Sequence, residues 1–144
     1  QLKVPKRSIK SLILDWETEA DIIHYYAKRL QDANKLGTIP IYYRRCTLPL
    51  ADDLEQIRRH IIETKAEVVI IDSLGAATGG ELNKPEPALR FFTALRQLKV
   101  TSLIIAQNSK DPDTKRKSIF GTVFFTYYAR NIWELCRAEP IGEE

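Results

Sequence analysis

Short apolar segments of strand length alternate along this chain with longer segments whose apolar residues recur at helical spacing. Val68–Asp72 is a continuous β-branched run that ends in an acid, and residues 11–16 and 102–106 are similarly apolar. Continuous apolar runs of this length are typical of strands that are buried on both faces of a sheet. Because strands that alternate with helices indicate βαβ units, the sequence predicts an α/β fold, with a mainly parallel sheet flanked by helices.

The remaining segments complete one domain over residues 1–144. They are predicted helices over 19–36, 52–65, 85–99 and 118–129, strands over 39–44 and 131–135, a basic arm over 1–10 and a tail over 137–144. Thr18 is the predicted N-cap of the first helix, and Gly37 is its predicted C-terminal stop. Pro40 restricts the strand over 39–44 to an edge of the sheet, because proline has no N–H to donate to a neighbouring strand.

Composition excludes several classes of protein. Of the 144 residues, 44% are hydrophobic and 28% are charged, a balance typical of a single soluble globular domain. No apolar run approaches the ~18–20 residues of a membrane span, so no membrane partner is expected. Cys46 and Cys136 are too few for a disulfide framework and lack the CxxC spacing of a zinc site, which predicts a reducing, cytoplasmic compartment. The net charge of +3 permits a nucleic-acid partner without requiring one.

Polar residues stand in pairs at the ends of three predicted strands. The pairs are Asp15 and Glu17, Asp72 and Ser73, and Gln107 and Asn108. Functional groups of parallel sheets gather at the carboxyl ends of the strands, so we expect these side chains to converge at one edge of the sheet.

The two acidic strand ends suit the chemistry of phosphates. Asp72, at the tip of a buried strand, is placed to bind Mg²⁺ through water beside the phosphates of a nucleotide; the alternative is that it only caps the following turn. Glu17 is placed to orient or deprotonate an attacking water. The alternative for Glu17 is a first-turn acid favoured by the helix dipole, which is the interpretation that we favour for Glu19 and Asp21.

The third strand end is followed by a polar, basic loop. Gln107 offers a neutral amide that can hydrogen-bond the γ-phosphate, although an amide here can equally cap a turn. The loop also contains four basic residues, Lys110, Lys115, Arg116 and Lys117. They are predicted to contact phosphates of nucleic acid or of a nucleotide in a neighbouring subunit, and the alternative is a solvated charged loop.

Four segments of the chain, LILDWE, VVIIDS, SLIIAQNSK and IFGTVFFTYYARNIWEL, together resemble the RecA-like ATPases over residues 11–136. Within that group they are most similar to the RepA/DnaB-like branch of hexameric, helicase-type AAA ATPases. The resemblance implies a RecA-like sheet, of which this chain is the C-terminal part of the core. It also implies ATP and Mg²⁺ as cofactors.

The resemblance assigns roles residue by residue. Glu17 lies at the position of the catalytic glutamate, and Asp72 matches the Walker B aspartate, which binds Mg²⁺ through water. Gln107 lies at the γ-phosphate-sensing position, where relatives carry His or Gln. Arg130 lies where relatives present an arginine to the nucleotide of a neighbour, the alternative being an arginine that covers the end of the sheet. The residues expected to contact the nucleotide around these positions are Ser73, Asn108 and Lys110.

One family motif is not found in this sequence. The 144 residues contain no G-x-x-x-x-G-K-[ST], the P-loop whose backbone N–H groups and lysine bind phosphates. We therefore expect the P-loop strand and helix to precede Gln1 in a longer protein, and this chain alone to be nearly inactive towards ATP. In RecA-like sheets the P-loop strand lies between the strands that correspond here to 102–106 and 131–135. We thus expect a foreign or N-terminal strand beside 102–106; the alternative is that the strands over 102–106 and 131–135 pair directly with each other.

The predicted function is that of part of a RecA-like ATPase that couples ATP hydrolysis to work on nucleic acid, of the helicase, replication or recombination type. The expected partners are further copies of the chain in a ring or filament, single-stranded DNA, and either the missing P-loop segment or a second chain. The alternative is a non-catalytic module with a RecA-like fold that binds nucleic acid or mediates oligomerisation.

Overall fold

The computed structural model describes residues 7–108 and 123–135. In chain order their elements are β1 (Ser11–Asp15), α1 (Ala20–Ala33), β2 (Ile41–Arg45), α2 (Leu54–Thr64), β3 (Val68–Asp72), α3 (Leu74–Thr78), α4 (Pro85–Gln97), β4 (Thr101–Ile105) and α5 (Phe124–Tyr128). None of the helices in these ranges is long and apolar enough to cross a membrane.

Four parallel strands form one sheet in the order β2-β1-β3-β4. This arrangement confirms the predicted α/β fold with flanking helices. The strand after Pro40 lies at an edge, as predicted, and the apolar strands β1 and β3 lie inside the sheet. Asp15 and Asp72 are aligned in the β1–β3 register, which brings the carboxyl ends of the two interior strands level with each other.

The hydrophobic core lies against one face of the sheet. Leu12 and Leu14 of β1 and Val69 and Ile71 of β3 are fully buried there, because side chains alternate between the two faces of a strand. The helical residues of the same buried cluster include Ile57 and Ile61 of α2, Phe91 and Phe92 of α4 and Phe125 of α5. Burial of these large apolar side chains supplies most of the free energy that stabilises the sheet.

The opposite face is covered much less by the described residues. Leu103 and Ile105 of β4 align with Ile70 and Asp72 on this face, and both are 45% exposed. The helix α1 lies beside β2 and, among the described residues, buries none of its own side chains. The sheet therefore has one packed face and one partly open face.

The first helix is shorter than predicted at both ends. Its N-cap is Glu19 and not Thr18, since the Glu19 carbonyl accepts a helical hydrogen bond from the Ile23 N–H at 3.3 Å. Its last residue is Ala33, and Lys35, with a φ of 51°, takes the left-handed conformation that was expected at Gly37. The helices α2 and α4 confirm the helices predicted over 52–65 and 85–99 to within two residues at each end.

The segment between β3 and α4 was expected to be a glycine-rich loop, but it begins with the short helix α3. Leu74, Ala77 and Thr78 of this helix are buried. The helix ends at Gly79, which has a φ of 65° and lies so close to the Pro49 ring that a Cβ at this position would collide with it. Burial of the apolar side of this single turn outweighs its low intrinsic helix preference.

The predicted strand over 131–135 is wrong, because these residues form neither strand nor helix. They are all exposed, and Leu135 is 96% exposed, so they lie outside the sheet that the described strands form. The part of the predicted helix over 118–129 that the structure describes forms α5, whereas 118–122 lie outside the described residues.

The strand expected beside 102–106 is not found among the described residues, where β4 pairs only with β3. Of the N-terminal arm, residues 7–10 lie at the other end of the sheet. The Lys10 carbonyl accepts from the N–H groups of Glu67 and Val68, and the Arg7 guanidinium pairs with the Glu67 carboxylate at 2.5 Å. Residues 7–10 of the arm therefore bind the segment that leads into β3.

Candidate functional site

The carboxyl ends of β1 and β3 form the base of the candidate site. Asp15 and Asp72 stand opposite each other, and the pairing continues one step further, since the Trp16 N–H donates to the Asp72 carbonyl at 2.8 Å. The residues that follow each strand, Glu17 and Ser73, therefore leave the sheet side by side. This is the convergence at one edge that the sequence predicts.

Asp15 shapes the turn that leaves β1. It is fully buried, and its Oδ1 accepts from the N–H groups of Glu17 at 2.7 Å and Thr18 at 2.9 Å. Its Oδ2 is buried and has no hydrogen-bond partner among the described residues. An aspartate that accepts backbone N–H groups two and three residues ahead fixes a tight turn, and here that turn presents Glu17.

Glu17 and Ser73 contact each other directly across the end of the sheet. The Ser73 hydroxyl donates to Glu17 Oε1, which joins residues 56 positions apart in the sequence. Ser73 is buried, whereas Glu17 is exposed. A hydrogen bond to a carboxylate is stronger than one between neutral groups, so it fixes the direction of an otherwise free side chain.

A cavity of about 140 Å³ opens at this point. Its lining includes Glu17 and Ser73 and also Gln107, which follows β4; the other lining residues are Leu74, Gly75, Ala76, Leu82 and Ala106. Three of the residues predicted to act on a nucleotide thus line one cavity. This cavity is smaller than the ~300–1,000 Å³ of a typical small-molecule site.

The site is rich in negative charge. Burial raises the pKa of Asp72, and the charges of Asp15 and Glu17 raise it further. Repulsion of this kind is relieved when a cation binds. In the described parts of the chain, no three His, Cys, Asp or Glu side chains are grouped to bind a metal by themselves. The donor set instead fits Mg²⁺, which takes one or two carboxylates and completes its shell with water and phosphate oxygens.

The other predicted site residues lie outside this cavity or outside the described ranges. The Asn108 amide donates to Glu134 at 3.1 Å. Arg130 is exposed, two residues after the end of α5. The four basic residues that follow β4, Lys110, Lys115, Arg116 and Lys117, fall outside the described residues, so their roles stay predictions.

Two features of the site were not recognised from the sequence. Asp15 was expected to join the cluster, but its part in shaping the turn was missed, although the D-x-E spacing at a strand end is a signal for such a turn. The apolar side of the cavity, formed by Leu74 and Leu82, was missed because α3 was interpreted as a loop.

Comparisons with known proteins identify the family. A search of curated proteins gave no match. A sequence family described as an AAA domain (AAA_25) matches residues 3–113, which is more than half of the chain and includes β1 to β4 together with Asp15, Glu17, Asp72 and Gln107. The chain therefore belongs to this family of AAA domains, ATPase-type domains with a RecA-like core.

Proposed function

We propose that this chain provides one side of an ATP-hydrolysing site, in which Glu17, Asp72 and Gln107 act on the nucleotide and its attacking water. The observation that carries the proposal is the shared cavity, where Glu17, Ser73 and Gln107 meet at the carboxyl ends of β1, β3 and β4. Family membership supports the same reaction class.

Each residue has a defined task in this proposal. The Glu17 carboxylate orients the attacking water and accepts its proton. Gln107 hydrogen-bonds the terminal phosphate through its side-chain amide, and Asp72 binds Mg²⁺ through water, with Ser73, Asn108 and Lys110 near the nucleotide. When bound, Mg²⁺ neutralises charge on the phosphates. The raised pKa of Asp72 supports this assignment, because a cation there would remove the repulsion that raises it.

The proposal requires a second segment that binds the phosphates. The cavity lining contains no lysine or arginine among the described residues, and the sequence contains no P-loop. We propose that a P-loop segment of the full-length protein, or of a second chain, pairs with the edge of β4 opposite β3 and covers its outer face. Two observations support this placement: among the described strands β4 pairs only with β3, and Leu103 and Ile105 are exposed.

We further propose that the protein does work on nucleic acid and belongs to the RepA/DnaB-like, helicase-type branch. In this proposal identical subunits form a ring or filament that binds single-stranded DNA through Lys115, Arg116 and Lys117. Arg130 would contact the nucleotide of the neighbouring subunit, and its exposed position after α5 leaves it accessible for that contact. A second candidate is a non-catalytic RecA-like module for nucleic-acid binding or oligomerisation, which the missing P-loop motif favours.

A phosphate-release assay distinguishes the two candidates. We expect Mg²⁺-dependent ATP hydrolysis by the full-length protein, loss of at least 100-fold in kcat in Glu17→Gln, and negligible turnover by the 144-residue chain. Glu63→Gln is the matched control, because Glu63 is an exposed acid near the end of α2 that does not line the cavity. A Glu17→Gln protein that keeps the wild-type rate would refute the assignment of Glu17.

A further inference from the structure

Asp15 connects Glu17 to the interior of the sheet. Its backbone lies inside the sheet, in register with Asp72 on one side, while its carbonyl accepts from the Cys46 N–H at 2.7 Å on the other. Its side chain is fully buried. Asp15 is therefore fixed by the strands on both sides of it, and any group that it binds inherits that rigidity.

The side chain of Asp15 binds the backbone of Glu17 and of the next residue. These two N–H groups lie between the end of β1 and the start of α1, so neither the sheet nor the helix provides them with an acceptor. Asp15 Oδ1 accepts from both, at 2.7 Å from the Glu17 nitrogen and 2.9 Å from the Thr18 nitrogen. The position of the Glu17 backbone relative to the sheet is thereby defined by one carboxylate oxygen.

The other end of Glu17 is fixed independently. Its carboxylate accepts from the Ser73 hydroxyl, and Ser73 directly follows β3, the strand next to β1. Glu17 is thus bound at its backbone by Asp15 and at its carboxylate by Ser73, from two adjacent strands of one rigid sheet. Such a side chain needs little reorganisation before it acts on a water in the cavity.

In the described residues, the hydrogen-bond partners of the Asp15 carboxylate are two backbone N–H groups, both at Oδ1. Its Oδ2 is buried without a partner, and a buried unpaired oxygen is costly. An asparagine would offer the same single acceptor without that charge. The charge does strengthen the two bonds at Oδ1, because hydrogen bonds to an ionised acceptor are about twice as strong as neutral ones.

We propose that Asp15 is a positioning residue for the hydrolytic reaction, which it supports by fixing the place of Glu17 through the N–H groups of Glu17 and Thr18. This role rests on the proposed ATPase function, since it concerns the rate of the step that Glu17 assists. Asp15 itself lies outside the cavity lining and acts only through Glu17.

The test compares three substitutions in the full-length protein. Asp15→Ala removes the acceptor, Asp15→Ser provides a shorter neutral acceptor, and Asp15→Asn keeps the acceptor at its length but removes the charge. Because misplacement of a reacting group by about 1 Å costs roughly 100-fold in rate, we expect kcat for ATP to fall about 100-fold in Asp15→Ala. We expect a fall of less than about 10-fold in Asp15→Asn and an intermediate one in Asp15→Ser, with KM nearly constant. The matched control is Asp21→Asn, an exposed acid in the first turn of α1.

A second measurement does not depend on activity. Hydrogen exchange of the Glu17 and Thr18 amides, followed by NMR, should accelerate in the same order as kcat falls, from Asn to Ser to Ala. If Asp15→Ala does not fold, the Asn and Ser variants still test this correlation. Unchanged kcat in variants whose two amides have lost protection would overturn the positioning role, and so would unchanged protection.

The two proposals fail in different ways. Absence of hydrolysis by the wild-type full-length protein, or full activity of Glu17→Gln, overturns the ATPase function together with the role of Asp15. A wild-type protein that is active, with Glu17→Gln inactive and Asp15→Ala as fast as the wild type, overturns the role of Asp15 alone.

Discussion

The outer face of β4 provides a direct test of whether another segment completes the sheet. Leu103 and Ile105 lie on this face, and in the described structure each is 45% exposed. We consider the double substitution Leu103→Ser/Ile105→Thr. If water covers this face in the functional protein, the change loses only the part of each side chain that is already buried in the described structure, so its cost is the same in the 144-residue chain and in the full-length protein.

The expected cost is much larger if a P-loop segment covers the face. Full burial of a leucine or isoleucine side chain stabilises a protein by about 1.5–3 kcal/mol. Covering the 45% that is exposed therefore contributes roughly 1 kcal/mol for each residue and about 2 kcal/mol for the pair. In a protein of about 150–250 residues that corresponds to a fall in Tm of roughly 4–8 °C.

Urea unfolding of two proteins measures this difference. The double variant and its wild type are compared in the 144-residue chain and in the full-length protein, and the loss of unfolding free energy should be about 2 kcal/mol greater in the full-length protein. Leu89→Ser/Ile62→Thr is the matched control, because these residues are exposed on α4 and α2, away from β4. Equal losses in the two proteins would show that nothing covers β4, which would refute the proposed completion of the sheet.

Three further predictions concern ionisable groups. Because the pKa of Asp72 is raised, its charged form destabilises the folded state above that pKa. Asp72→Asn should therefore raise the urea midpoint of unfolding at pH 7, change it little at pH 3, and weaken Mg²⁺-dependent hydrolysis. A lower urea midpoint at pH 7 would contradict this prediction. The Arg7 guanidinium lowers the pKa of Glu67 to about 2, so this pair contributes stability above about pH 4.5 that is lost as the pH falls towards 2. An NMR titration should show the Glu67 pKa rising in Arg7→Ala, and an unchanged pKa would exclude the pair. Burial raises the pKa of the Cys46 thiol to about 11, so iodoacetamide at pH 8 should modify it only after unfolding, as mass spectrometry of native and denatured protein can determine.

The sequence by itself determined the fold class and the chemical character of the site. The β-branched run of β3 and the apolar runs of β1 and β4 indicate strands, because the preference for strand conformation depends on five or six consecutive residues. The sequence also places an acid or an amide at or just after the end of each of these strands. Since parallel strands end at one edge, the meeting of Glu17, Ser73 and Gln107 could be expected before any coordinates.

The tertiary structure decided the details that depend on distant parts of the chain. Asp15 binds the amides of Glu17 and Thr18 in the turn before the first helix, and α3 forms because its apolar side chains are buried against the core. Residues 131–135 have the composition of a strand, but a strand forms only where its backbone pairs with another strand, and no described strand pairs with these residues. Local sequence does not contain that information.

The contact that orients Glu17 likewise depends on distant parts of the chain. Ser73 follows Glu17 by 56 positions, and their hydrogen bond exists because β1 and β3 pair in a register that makes Asp15 and Asp72 neighbours. A shift of one residue would move every side chain of the strand to the opposite face. The residue types available to the site were thus determined by the sequence, whereas the bonds among them were decided by the packing that sets the strand register.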